Sequence, residues 1–192
     1  MTVPVRRPAT YADLVALPDH LIGEILDGEL VASPRPAPRH SVTSSALTSA
    51  LGPPFQFGDG GPGGWWILYE PELHLGENVL VPDLAGWRRD RLATIPDEAF
   101  FTLRPDWVCE VLSPSTGRTD RVRKLPIYAR FGVPHAWLID PAAQTLEVFQ
   151  LEAERWVLLG THGGDDVVSA PPFESVPLKL SRLWVPALSA DR

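Results

Sequence analysis

One cysteine among 192 residues excludes an internal disulfide and any cysteine-rich zinc site. No apolar run approaches the roughly 18 residues a membrane helix needs, so no membrane partner is expected. The opening stretch MTVPVRRPAT has no apolar signal core, and a cytoplasmic location is expected from it. Histidine is scarce too, and neither His74 nor His135 has an acid or cysteine neighbour at metal-ligand spacing. Positive charge is short: 17 bases against 24 acids give a net charge of -7, which argues against a general nucleic-acid binder. The shortage is uneven. Arg118, Arg121, Arg123, Lys124 and Arg130 stand against Asp120 alone, so that segment carries +4 and the rest of the chain -11. On charge alone the strip also reads as a solvated helix face.

A hydrophobic fraction of 44% with 21% charged residues is enough for a packed core, and the length suits a single domain over 1–192. TYADLVALPDH reads as a short helix capped by Thr10, and LIGEILDGELVAS as a hairpin turning at Asp27-Gly28. Ser41 to Leu51 is a helix candidate, and GPPFQFGDGGPGG a long flexible turn lacking the Gly-Lys-Ser/Thr ending of a phosphate loop. WWILYEPELHL, NVLVPDLAGW, DWVCEVLS, HAWLID, TLEVFQL and RWVLLGT are strand candidates. A helix runs from Thr119 or Asp120 towards Phe131, and the segment from about 163 to 192 is a Pro-rich tail. Helices around a mixed sheet make an α/β or α+β sandwich.

Two acids sit inside apolar strand sequence. In DWVCEVLS, alternation puts Glu110 on one face with Val108 and Leu112, and Cys109 on the other. In NVLVPDLAGW, Asp83 follows Pro82, which removes a ladder donor and marks an edge, a bulge or a strand start. If the strands are neighbours, the two carboxylates converge and suit a hard divalent cation such as Mg²⁺. Either acid alone also reads as a strand-end residue touching water.

VPDLAGW followed by PDWVCEVLSPSTGRTDRVRKLPIYARFGVPHAWLIDP resembles the PD-(D/E)XK nuclease superfamily. More closely the chain resembles the Uma-type restriction endonucleases, formerly a domain of unknown function, whose N-terminal signature is similar to GEILDGELVASPRPAPRH. The resemblance runs from about Tyr11 to Leu151. It implies a restriction-endonuclease-like core over about 20–151, with the N-terminal helix and hairpin as an extension, and Mg²⁺-dependent phosphodiester hydrolysis. It makes Asp83 and Glu110 the metal carboxylates, with the Val111 carbonyl beside them and Mn²⁺ able to substitute. The superfamily's lysine is expected two residues after the glutamate, where this chain has Leu112. The narrower family implies that Lys124 takes its place.

Pro126, two residues on, then requires the helix either to begin near Leu125 or to kink. Glu24 is the candidate extra acid, as a ligand of a metal-bound water, an outer base, or only a strand-surface acid. Arg118, Arg121 and Arg123 are candidate phosphate contacts. His40 is a candidate cleft residue through the family signature, and by itself reads as a cap or loop residue. DNA is the expected partner, with RNA left open, and a homodimer is expected because cutting two strands commonly takes two sites. The rival expectation is a nuclease fold with a decayed site, acting as a DNA-binding or scaffold protein.

Overall fold

The computed structural model describes residues 7–186; residues 1–6, and 187–192 of the Pro-rich tail, lie outside the described residues. Helix α1 (Tyr11–Val15) begins at Thr10, whose N–H donates to Asp13 Oδ2 at 2.8 Å. Strands β1 (Leu21–Leu26) and β2 (Glu29–Pro34) form the expected hairpin. Asp27 and Gly28 both adopt positive φ, 51° and 78°, as a two-residue turn matched to strand twist requires.

Helix α2 (Pro38–Leu51) starts three residues before the expected Ser41, because a proline in the first turn has no N–H left unpaired. Its buried residues His40, Thr43, Ser44, Leu47 and Leu51 follow helical spacing. The expected flexible turn is partly ordered: Gly52–Phe57 continues α2 as a π-helical turn, ended by Gly58 at φ 82°. Phe55 anchors that turn, its ring 4.7 Å from that of Phe173.

Two strand candidates are each split in two. Glu70, at φ 44°, and Pro71 separate β3 (Trp65–Tyr69) from β4 (Leu73–Leu75). Val81, Pro82 and Asp83 separate β5 (Asn78–Leu80) from β6 (Leu84–Arg88), so Pro82 marks a strand start. Strand β7 (Trp107–Val111) is followed by one helical run: α3 (Gly117–Thr119), a π-helical turn (Asp120–Lys124) and α4 (Leu125–Arg130). Then come β8 (His135–Asp140), β9 (Thr145–Glu152), β10 (Arg155–Gly163), β11 (Val167–Val168) and β12 (Leu178–Lys179).

The central sheet has six strands in the order β10-β9-β8-β7-β6-β3. It is mixed, with β7 and β8 parallel and the other pairs antiparallel. A parallel pair needs a long crossover, and the α3–α4 run supplies it. A second, antiparallel sheet runs β2-β1-β5-β4, so the hairpin joins a sheet of its own beside the core.

Strand alternation divides the interior into two cores. Trp107, Cys109, Val111 and Trp137 face α2 and the C-terminal Phe173 and Leu183. Val108, Leu112, Ala136 and Leu138 face α4 and the smaller sheet, packing with Leu125, Tyr128, Leu26 and Leu80. Glu110 projects into this second layer.

Candidate active site

Glu110 is 2% exposed, and its partners arrive from one helical face. Tyr128 donates its hydroxyl to Oε1 at 2.6 Å, and Lys124 Nζ lies 2.9 Å from Oε1 and 3.0 Å from Oε2. Asp120, Lys124 and Tyr128 recur every four residues, the spacing that stacks side chains along a helix. The turn carrying Asp120 and Lys124 is π-helical and runs into α4, where Pro126 occupies the first turn. Proline can neither donate to the preceding turn nor tolerate its carbonyl. A widened turn removes both conflicts. The regular α-helix thus begins at Leu125, one of the two expected outcomes, while the π-helical turn before it continues the helical run and carries Lys124 into the interior.

The ammonium of Lys124 has three protons. Besides Glu110 it meets Glu24 Oε1 at 3.0 Å and the Val81 carbonyl at 3.1 Å, with Asp120 Oδ1 at 3.8 Å. Glu24 Oε1 also accepts the Val81 N–H at 2.8 Å, which ties β1 to the link between β5 and β6. Asp83 lies one step past the last β6–β7 pair, Leu84 with Cys109, and so beside Glu110. Its Oδ2 accepts the Val111 N–H at 2.6 Å, and its Oδ1 is 3.0 Å from His40 Nε2. His40 Nδ1 is buried without a hydrogen-bond partner among the described residues. Glu24, His40, Val81, Asp83, Glu110, Asp120 and Lys124 line one cleft of about 280 Å³, together with residues 33–37 and 113–116. Sequence-predicted Glu24, His40, Asp83, Glu110 and Lys124 are thus brought together.

Charge in the cleft is unbalanced: Glu24, Asp83, Glu110 and Asp120 face Lys124 and His40. Burial pushes the Glu110 carboxyl well above its usual range; Lys124 opposes this, while Asp120, Asp83 and Glu24 add to it. Burial pushes Asp120 up to about 6 despite Lys124 and a hydrogen bond from Thr116. Burial alone would lower Lys124, but Glu110 and Glu24 reverse the sign and hold the ammonium charged. In the same way burial works against protonated His40, and Asp83 outweighs it, so the imidazole is raised. Burial and the neighbouring Glu110 charge keep the Tyr128 phenol protonated.

A hard divalent cation fits this donor set. The surplus carboxylates are oxygen ligands, and Mg²⁺ keeps most of its waters and needs one or two such groups. Among the described residues no group of three or more His, Cys, Asp and Glu side chains is placed to hold an ion. The fit is to a two-carboxylate site and not to a closed cage.

The basic strip is not brought together as one surface. Arg121 Nη1 pairs with Glu147 Oε2 at 2.6 Å. Arg123 pairs with Glu29 Oε2 at 2.9 Å and donates to the Leu26 carbonyl at 2.7 Å. Arg130 pairs with Asp27. Arg118 has no acid within 4 Å among the described residues. Ser113 bonds Ser115 and Thr116, each at 2.9 Å, which is turn chemistry. His74 contacts Glu72 at 2.7 Å and stacks on Phe100. Asp120 and Tyr128 are the site residues that sequence reasoning did not single out, although their spacing with Lys124 was the available signal.

A profile of the family described as "Putative restriction endonuclease", Uma2, matches residues 10–181. The chain belongs to the Uma2 family. A solved structure described as "a putative nuclease belonging to DUF820 from Anabaena variabilis ATCC 29413" is similar to this Uma2 chain. It has a TM-score of 0.70 and 24% identity, over 92% of this chain and 97% of that one. The likeness shows the fold, which is restriction-endonuclease-like as the Uma-type resemblance implied. No curated protein matches the chain. No helix among the described residues of the Uma2 chain is long and apolar enough to cross a membrane.

Proposed function

We propose that the chain is a divalent-cation-dependent endonuclease that hydrolyses phosphodiester bonds in DNA and acts as a homodimer in the cytoplasm. The observation that carries the reading is the convergence of Asp83, Glu110 and Lys124 in one cleft, an acid from the bend just before β6, an acid from the adjacent β7 and an ammonium from the crossover helical run. Asp83 and Glu110 would hold Mg²⁺ or Mn²⁺, with the Val111 carbonyl beside them. When bound, the cation polarises a phosphate oxygen and lowers the pKa of a water at the site.

The chain's own residues set the geometry for this chemistry. His40 and the Val111 N–H fix both oxygens of Asp83. Tyr128 fixes Glu110 Oε1, leaving Oε2 bonded to Lys124 alone. Lys124 has every proton engaged, so it gives up one carboxylate when a phosphate oxygen arrives and then stabilises the negative charge that builds there. Glu24 keeps the Lys124 ammonium in place during that exchange.

The rival reading, a decayed site on a DNA-binding or scaffold protein, draws support from Leu112 at the usual lysine position and from the absence of a three-ligand cluster among the described residues. Plasmid cleavage in Mg²⁺ and in Mn²⁺ separates the two. Wild type should cut, and Asp83→Ala should not. Equal products from both proteins, or none from either, would refute the proposal.

A further inference from the structure

We infer that a nucleic-acid backbone is gripped at the rim of the cleft, by Arg35 and Arg118, and not by Arg121 and Arg123. The identity of the partner rests on the nuclease reading. The location of the grip rests on which cations the fold leaves unmatched.

Arg121 and Arg123 are exposed enough to meet a ligand, yet each is already neutralised, by Glu147 and by Glu29. A phosphate there has to displace a carboxylate, and for Arg123 also the Leu26 carbonyl. Arg35 differs. It lines the cleft, and its Nη2 donates to the Asp19 carbonyl at 2.9 Å. That bond holds the guanidinium in place without cancelling its charge. Among the described residues no acid lies within 4 Å of Arg35, Arg39 or Arg118.

The wall carrying Arg35 is stiff. Pro34 and Pro36 flank the arginine, each locking its own φ, so little chain entropy is lost when the side chain is loaded. Arg39, exposed in the first turn of α2, adds a cation next in the chain to the cleft-lining His40. Ser113 to Thr116, a second proline-bearing segment, also lines the cleft, and Arg118 follows two residues later. Acids line the cleft beside these two segments. A polyanion can approach such acids only where its flanking phosphates meet cations, and the unmatched Arg35 and Arg118 lie in or next to the segments that line the cleft. These two arginines are therefore assigned to the phosphates that flank the bond to be cut.

The test is anisotropy of a fluorescein-labelled DNA duplex titrated with the full chain over a range of salt, with Ca²⁺ in place of Mg²⁺. Each phosphate contact contributes about 0.9 to the slope of log K against log salt. Arg35→Ala and Arg118→Ala should each flatten the slope by about 0.9 and weaken binding, and the double variant by about twice that. Arg121→Ala and Arg123→Ala should leave the slope unchanged. Arg35→Gln, which keeps a donor for the Asp19 carbonyl, should behave as Arg35→Ala does. A flattened slope in the Arg121 or Arg123 variants with none in the rim variants overturns the inference. So does a wild type that binds no duplex. Plasmid cleavage is scored separately, so the rim assignment can fail while the nuclease reading stands, and the reverse.

Discussion

Replacing Lys124 by methionine removes the one ammonium from the acid cluster while keeping most of its apolar stem. The side chain is 4% exposed, its nearest partners Glu110 and Glu24 are 3% and 9% exposed, and both lie within 3.0 Å. Losing one member of a buried ion pair costs about 3–5 kcal/mol, because the other is left charged and unpaired. An exposed pair would cost about 0–1 kcal/mol. For a chain of this length each kcal/mol moves Tm by about 2–4 °C, so the expected loss is roughly 6–20 °C. Calorimetric melts in EDTA read it. The loss should be largest near pH 8 and shrink towards about pH 5, since the stranded carboxyls bind protons more strongly folded than unfolded. Mn²⁺ should restore more stability to this variant than it adds to wild type. A loss below about 1 kcal/mol that does not change with pH would refute the placement of the ammonium among buried acids.

Tyr128→Phe deletes a single 2.6 Å hydrogen bond to a buried carboxylate. It should lower unfolding free energy by about 1.5–3 kcal/mol, read as a lower urea midpoint at unchanged m-value, and should weaken Mn²⁺ binding in a calorimetric titration. An unchanged midpoint would remove the phenol from the site's support. Cation-free wild type should lose stability as pH rises from about 4 to about 6. Asp120, raised to about 6, and Glu110, raised by burial, hold protons in the folded state that the unfolded chain has released. A contribution of opposite sign, measured as the difference between wild type and Asp120→Asn over that window, would refute the burial argument.

Alternation in DWVCEVLS was enough to put Cys109 and Glu110 on opposite faces, because a strand has a fixed period of two and both sides here are packed. Pro82 was equally legible, since a missing N–H can be placed only where a ladder begins or ends. The π-helical turns were not. Sequence periodicity assumes regular turns, so Pro126 read as a start or a kink, and Gly52–Phe57 as a loop. Asp120 was hidden by its own position, because an acid near a helix start reads as a cap. The pairing of Arg121 with Glu147 and of Arg123 with Glu29 joins elements distant in the chain, and no local pattern signals it.

Leu112 and Lys124 are two sides of one arrangement. Leu112, two residues after Glu110 on the same face, belongs to the core that includes Leu125 and Ile127 and lies against Gly117, so the position that would carry a strand-borne lysine instead seats the helical run that delivers one. That accounts for the lysine's path but not for the surplus of acids. A cluster kept only for stability would approach charge balance, since every unpaired buried carboxylate subtracts from a total of about 5–15 kcal/mol. This cleft holds Glu24, Asp83, Glu110 and Asp120 against one lysine and one histidine, and without a cation it approaches balance only by keeping protons on Glu110 and Asp120. A bound divalent cation offsets that surplus of acids, and only then can a polyanion approach. A purely structural role leaves it unexplained, and for this reason we favour catalysis over a decayed site.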